Sequence, residues 1–94
     1  MNGNVETALN LIKIALGITH DKRDVFFRSL LTSTVHELEG RGIALDLNEV
    51  EDNMLVSDYA EFNYRNREGT KTLPMNIDLR IRNRKAKGRA ENGA

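Results

Sequence analysis

Few side chains in this chain have both the type and the spacing that chemistry needs. His20 and His36 stand 16 positions apart, and neither sits at metal-ligand spacing from a second ligand, so both read as surface or helix-end histidines. Glu49, Glu51 and Asp52 are the one tight acidic group. They would suit a cation site or a catalytic pair, but their position just after Asn48 is that of a helix start, where acids complement the helix dipole. Gly40-Arg41-Gly42 follows a helical pattern, whereas a phosphate-binding loop precedes one. There is no cysteine, which removes disulfides, thiolate metal sites and cysteine nucleophiles together. No catalytic residue, metal ligand or cofactor is therefore expected, and enzyme is not the expected class.

Charge is the feature that exceeds composition. The 14 Lys and Arg balance the 14 Asp and Glu, yet residues 1–69 carry seven bases against twelve acids and residues 70–94 carry seven bases against two, so the halves stand at −5 and +5. An acidic body with a basic end implies an interaction surface. Arg80, Arg82, Arg84, Lys85, Lys87 and Arg89 put six cations in ten positions, suited to phosphates or to an acidic protein groove, or simply to a solvated tail. Interleaved Ile77, Leu79 and Ile81 give this segment something to bury against a partner. The opposite signs of body and end also suit identical subunits meeting head to tail in a ring. A second candidate surface is the run Tyr59 to Arg67. There Tyr59, Phe62 and Tyr64 read as core aromatics, while Arg65 and Arg67 are able to stack or pair across an interface.

The elements that position these residues follow from periodicity. Val5, Ala8, Leu9, Ile12, Ala15 and Leu16 predict an amphipathic helix over residues 4–17, with Asn4 as N-cap and Gly17 as stop. Thr19 or Asp21 would cap a second helix with the stripe Phe27, Leu30, Leu31, Thr34, Val35 and Leu38, ending at Gly40-Arg41-Gly42. After the apolar connection from Ile43 to Leu47, Asn48 and the three acids open a third helix. Its Val50, Met54, Leu55, Val56, Tyr59, Ala60, Phe62 and Tyr64 surround more than one face, so one face is expected to meet the bundle and another a neighbouring subunit. Arg65 to Thr72 reads as a loop.

The final segment gives two conflicting signals. Met75, Ile77, Leu79 and Ile81 alternate with polar residues as a half-buried strand does, whereas Pro74 suits the start of a helix. From Arg84 onward nothing can be buried, and a mobile end is expected. The domain division is thus a helical body over residues 1–73 and a basic C-terminal segment over residues 74–94. At 10.6 kDa one domain fits, with a modest core, so partners or self-association are expected to add stability. No export signal and no apolar run near the ~18 residues of a membrane span is present, so a cytoplasmic protein is expected.

The order of these elements, with Asp58-Tyr59-Ala60-Glu61-Phe62-Asn63-Tyr64-Arg65-Asn66-Arg67 closing the third helix and Pro74 followed by Ile77, Leu79, Arg80, Ile81, Asn83 and Arg84, resembles the head-to-tail connector (adaptor) proteins of tailed bacteriophages and prophages. The resemblance spans most of residues 4–84. It implies an all-α fold, a small bundle of three to four helices in which the final segment is helical, and it decides the conflict above for helix. It further implies a virion structural protein that forms a ring of many copies beneath the portal protein, extends the DNA channel and receives the stopper or tail-completion protein. Assembly would take place in the host cytoplasm and the product would stand in the virion neck. The C-terminal segment would dock on the portal or a neighbouring subunit through Ile77, Leu79, Arg80, Ile81, Arg82, Arg84, Lys85, Lys87 and Arg89, and Tyr59, Phe62, Tyr64, Arg65 and Arg67 would form the subunit interface. The isolated protein is expected to be a monomer that forms rings at high concentration or with portal present, with DNA passing through and no sequence-specific contact. The alternative reading is a small nucleic-acid-binding regulator that uses the basic end.

Overall fold

Four helices carry the chain in a computed structural model that describes residues 3–66, 69 and 72–91, with residues 86–91 described by their backbone. They are α1 (Glu6–Leu16), α2 (Asp24–Gly40), α3 (Val50–Arg65) and α4 (Met75–Glu91), and among the described residues there is no extended strand. The fold is a small all-α bundle.

The predicted stripes are the packed faces. Val5, Ala8, Leu9 and Ile12 of the first stripe are buried, and so are Phe27, Leu31, Thr34, Val35 and Leu38 of the second, with Leu30 half-buried beside them. Ala15, assigned to the first stripe, is exposed, while the neighbouring Leu16 packs half-buried against the core. Helix α3 lies across this pair and closes the core with Leu55, Val56, Tyr59 and Ala60. At about 25 cal/mol per Å² of apolar surface, each fully buried Leu, Ile or Phe contributes roughly 1.5–3 kcal/mol, so a core of this size rests on a small number of side chains.

The helix ends differ in detail from the sequence expectation. Asn4 lies one residue before the N-cap Val5, although its side-chain oxygen does accept the Glu6 N–H at 3.0 Å. Neither Thr19 nor Asp21 caps α2; the N-cap is Arg23, and Asp21 contributes its backbone carbonyl to the Asp24 N–H. Gly17 ends α1 in the left-handed region (φ 72°), which lets the Ile18 N–H reach the Lys13 carbonyl. Gly42 (φ 92°) does the same for α2, with Ile43 N–H bonded to the Leu38 carbonyl. The connection after it is not a passive link. Ile43, Leu45 and Leu47 all enter the core, and Asn53 of α3 ties it down by donating from Nδ2 to the carbonyls of Leu47 (2.8 Å) and Glu49 (3.0 Å).

The strand alternation in the last segment is overruled. Residues 75–91 are helical, and the Pro74 carbonyl accepts the N–H groups of Ile77 and Asp78. In a helix the pair four apart, Ile77 and Ile81, shares a face and is buried, while Met75 (76 % exposed) and Leu79 (47 %) point away. Among the described residues no sheet edge is available to pair with a strand, and α3 offers a surface that a helix can cover. The helix runs past Arg84 to Glu91, and Arg84, the first residue of the expected tail, is itself bonded to α3 and to the α2–α3 connection.

Candidate interaction site

The basic end folds back on its own body. Two arginines one turn apart on α4 reach two acids on α3 in reversed order, Arg80 to Asp58 and Arg84 to Asp52, so the helices run antiparallel. Arg80 Nη1 lies 2.8 Å from Asp58 Oδ2, and Arg84 Nη2 lies 3.0 Å from Asp52 Oδ2. Arg84 Nη2 also donates to the Ala44 carbonyl at 2.7 Å, so α4 is fastened to the α2–α3 connection as well. Asp52 is buried, and the same oxygen accepts the Asp46 N–H at 2.8 Å. A carboxylate removed from water is tolerable only with such partners. Arg82 pairs with Asp78 on its own helix at 3.0 Å.

Beside the seam lies a groove of about 400 Å³ between the first half of α3 and the middle of α4. Met54 and Leu55 give it an apolar wall, Glu51 and Asp52 an acidic one, and Arg80, Asn83 and Arg84 form the side made by α4. Val50 (66 % exposed) and Met54 (47 %) stand outside the core on α3, as the apolar excess of that helix implied.

A second cluster forms where α2 begins and α3 ends. The Arg23 guanidinium lies 5.1 Å from the ring centre of Phe26, 5.3 Å from Phe27 and 5.7 Å from Tyr64, and its Nη1 donates to the Tyr64 hydroxyl at 3.0 Å. Phe27 and Tyr64 pack at 5.4 Å, Phe26 and Tyr64 edge to face at 6.1 Å. Each cation–aromatic contact at such an exposed place is worth roughly 0.5–1 kcal/mol, so the cluster steadies the corner without dominating the core.

Neither family models nor curated proteins nor solved structures match the chain.

The candidate residues therefore divide. Ile77 and Ile81 are occupied in the chain's own core, Arg80, Arg82 and Arg84 in its own ion pairs, and Leu79 is free on the outer face; Lys85 is half-buried. Tyr59 is buried against α2, where loss of hydration and the nearby Glu37 carboxylate push its phenol above the usual range, and the Arg41 guanidinium stands 5.7 Å from its ring. Phe62 and Tyr64 pack at the edge of the core, and Arg65 pairs with Glu61 at 2.7 Å. Arg67 and the side chains of Lys87 and Arg89 lie outside the described residues. Sequence reasoning missed Asp52 and Asp58 as receivers of the basic segment. No spacing marks them in the sequence: the acids stand six residues apart on α3 and the arginines four apart on α4, and only the placement of the two helices brings them together. No group of three or more His, Asp or Glu converges among the described residues, and no described helix is long and apolar enough to cross a membrane.

Proposed function

We propose that this protein is a subunit of a phage head-to-tail connector ring, seated beneath the portal around the DNA channel and receiving the stopper or tail. The observation that carries the reading is the corner between α3 and α4. A third helix ending in the tyrosine and arginine run, then Pro74, then a basic helix, is the order of elements that the resemblance in sequence implies. Exposed apolar side chains on these two helices, Val50, Met54, Met75 and Leu79, support lateral packing between copies, and Ile14, Val25 and Phe26 are exposed on α1 and α2 as well. The pairing of Arg80, Arg82 and Arg84 with carboxylates weighs against the regulator reading, since phosphates would have to displace those partners.

Negative-stain microscopy of the protein mixed with its portal tests the proposal. Rings bound coaxially to the portal are the expected result, and portals that stay bare over a range of ratios would overturn it. A gel-shift titration should detect no steeply salt-sensitive, micromolar DNA binding; such binding, lost on removal of residues 80–94, would favour the regulator.

A further inference from the structure

Among the four helices α4 packs on α3 alone. Among the described side chains its attachment lies on one face of its first three turns, where Ile77 and Ile81 are buried and Arg80 and Arg84 hold Asp58 and Asp52. The six most completely buried large side chains, Phe27, Ile12, Leu31, Leu38, Val35 and Val56, all belong to α1, α2 and α3. Most of the core thus lies within the three-helix body, whereas α4 contributes two isoleucines that need a body to cover them.

Nothing in this contact requires that the body be its own. Ten Cα steps separate Arg65 from Met75, and at ~3.3–3.6 Å per residue they span up to about 35 Å. The molecule is 31 Å across its middle dimension, so an extended connection reaches an adjacent copy. The body at −5 and the end at +5 attract between copies as they do within one.

We propose that α4 is an exchangeable arm, and that the Asp52 and Asp58 cradle of one copy accepts Arg84 and Arg80 of a second copy of this chain. The proposal deepens the ring reading above, because it supplies the link between neighbours, but its test needs no portal. The contacts made within a copy and between copies are chemically the same, so the balance is set by concentration. A short connection holds the arm at an effective concentration on the order of millimolar, which keeps dilute protein closed and monomeric. Exchange follows when copies are gathered to comparable density, as on a circular platform, and each arm then links its copy to the next.

Charge reversal separates the two arrangements. Asp58→Arg places like charges against Arg80 within the chain, and Arg80→Asp places them against Asp58. Mixed together, the two variants are repulsive within each copy and complementary in both directions between copies. Light scattering after size exclusion should find each variant alone largely monomeric and the equimolar mixture at twice the mass, while a chain carrying both changes returns to monomer. A mixture that stays monomeric, with both variants retaining their helical circular dichroism, would overturn the proposal. Should either variant unfold, the cysteine-free sequence allows a second measurement. Asp58→Cys and Arg80→Cys chains are mixed at millimolar concentration and treated with a short bis-maleimide; a covalent heterodimer is expected, and its absence overturns exchange.

Discussion

Arg84 and Asp52, 32 residues apart in sequence, form an ion pair around the most buried of the paired acids in the described part of the molecule: the carboxylate side chain is 3 % exposed and the guanidinium side chain 27 %. Asp52 joins three segments through one oxygen, since it also accepts the Asp46 N–H while Arg84 holds the Ala44 carbonyl. Replacement by alanine leaves the part-buried Asp46 N–H without its acceptor and Arg84 with the Ala44 carbonyl but no counter-charge. Breaking a buried pair from one side costs about 3–5 kcal/mol, and the partial exposure of Arg84 puts Asp52→Ala at the low end, near 3. Arg84→Met, which leaves the more deeply buried Asp52 carboxylate without its cation, should cost at least as much as Asp52→Ala. Urea unfolding curves compared with wild type check both, and the order of the two is the sharper test.

Helical and strand readings of the last segment differ in which isoleucine or leucine matters. Ile81→Ala should loosen α4 at a cost of roughly 2–4 kcal/mol to its docking, whereas Leu79→Ala, on the exposed side, should stay within about 0.5 kcal/mol. Hydrogen exchange reads the difference directly. Amides of residues 77–85 should lose protection in Ile81→Ala, while those of α1 and α2 keep theirs. Equal effects of the two changes would contradict the helical face.

Phe27 stands in contact with both Phe26, at 5.2 Å edge to face, and Tyr64, and is fully buried. Truncation to alanine removes the largest of the fully buried side chains and should cost about 3–5 kcal/mol, a large part of the stability of a 94-residue domain. A melting temperature lowered by tens of degrees, or no cooperative transition at all, is the expected readout.

The exposed pair of Glu6 and Arg28 is bidentate, with distances of 2.9 and 3.0 Å. Hydrogen bonds from Arg28 hold the Glu6 carboxyl below its ordinary value of 4.5. A carboxyl whose folded pKa is depressed stabilises the fold above the unfolded value, and that contribution is lost as pH falls through the folded one. Wild type should therefore lose stability relative to Glu6→Gln on acidification below pH 4.5, and the two should converge at the acid end. Urea midpoints measured from pH 7 to pH 2 check the sign.

Tyr59 moves the other way. Burial first, and the Glu37 charge second, raise its phenol above 10. The unfolded chain gives up this proton more readily, so stability is complete below pH 10 and falls as pH rises beyond it. In a Tyr64→Phe chain, where Tyr59 is the remaining tyrosine, phenolate absorbance should appear only after the usual range is passed, or together with unfolding.

Much of the bundle was legible because its signals are local. The three-four spacing of Ala8, Leu9 and Ile12, or of Phe27, Leu31, Thr34 and Val35, needs no knowledge of the partner to mark a buried face, and Gly17 and Gly42 end their helices by backbone conformation alone. The charge division at residue 69 was equally plain. Three things were not local and were missed or misjudged. The capping side chains shifted because a cap depends on where packing starts the helix. The alternation from Met75 to Ile81 looked like a strand because period two and period four coincide at Ile77 and Ile81, and only the presence of α3 with no sheet edge chose between them. The acids of α3 looked like dipole partners.

By itself, then, the sequence determined an all-α chain with an acidic body and a basic end. Tertiary structure decided where that end goes: onto the chain's own third helix, since antiparallel packing brings Asp58 and Asp52 opposite Arg80 and Arg84 and lets Ile77 and Ile81 leave water in the same step. Pairing at a distance of 22 and 32 residues is a property of helix placement, which no spacing along one segment contains.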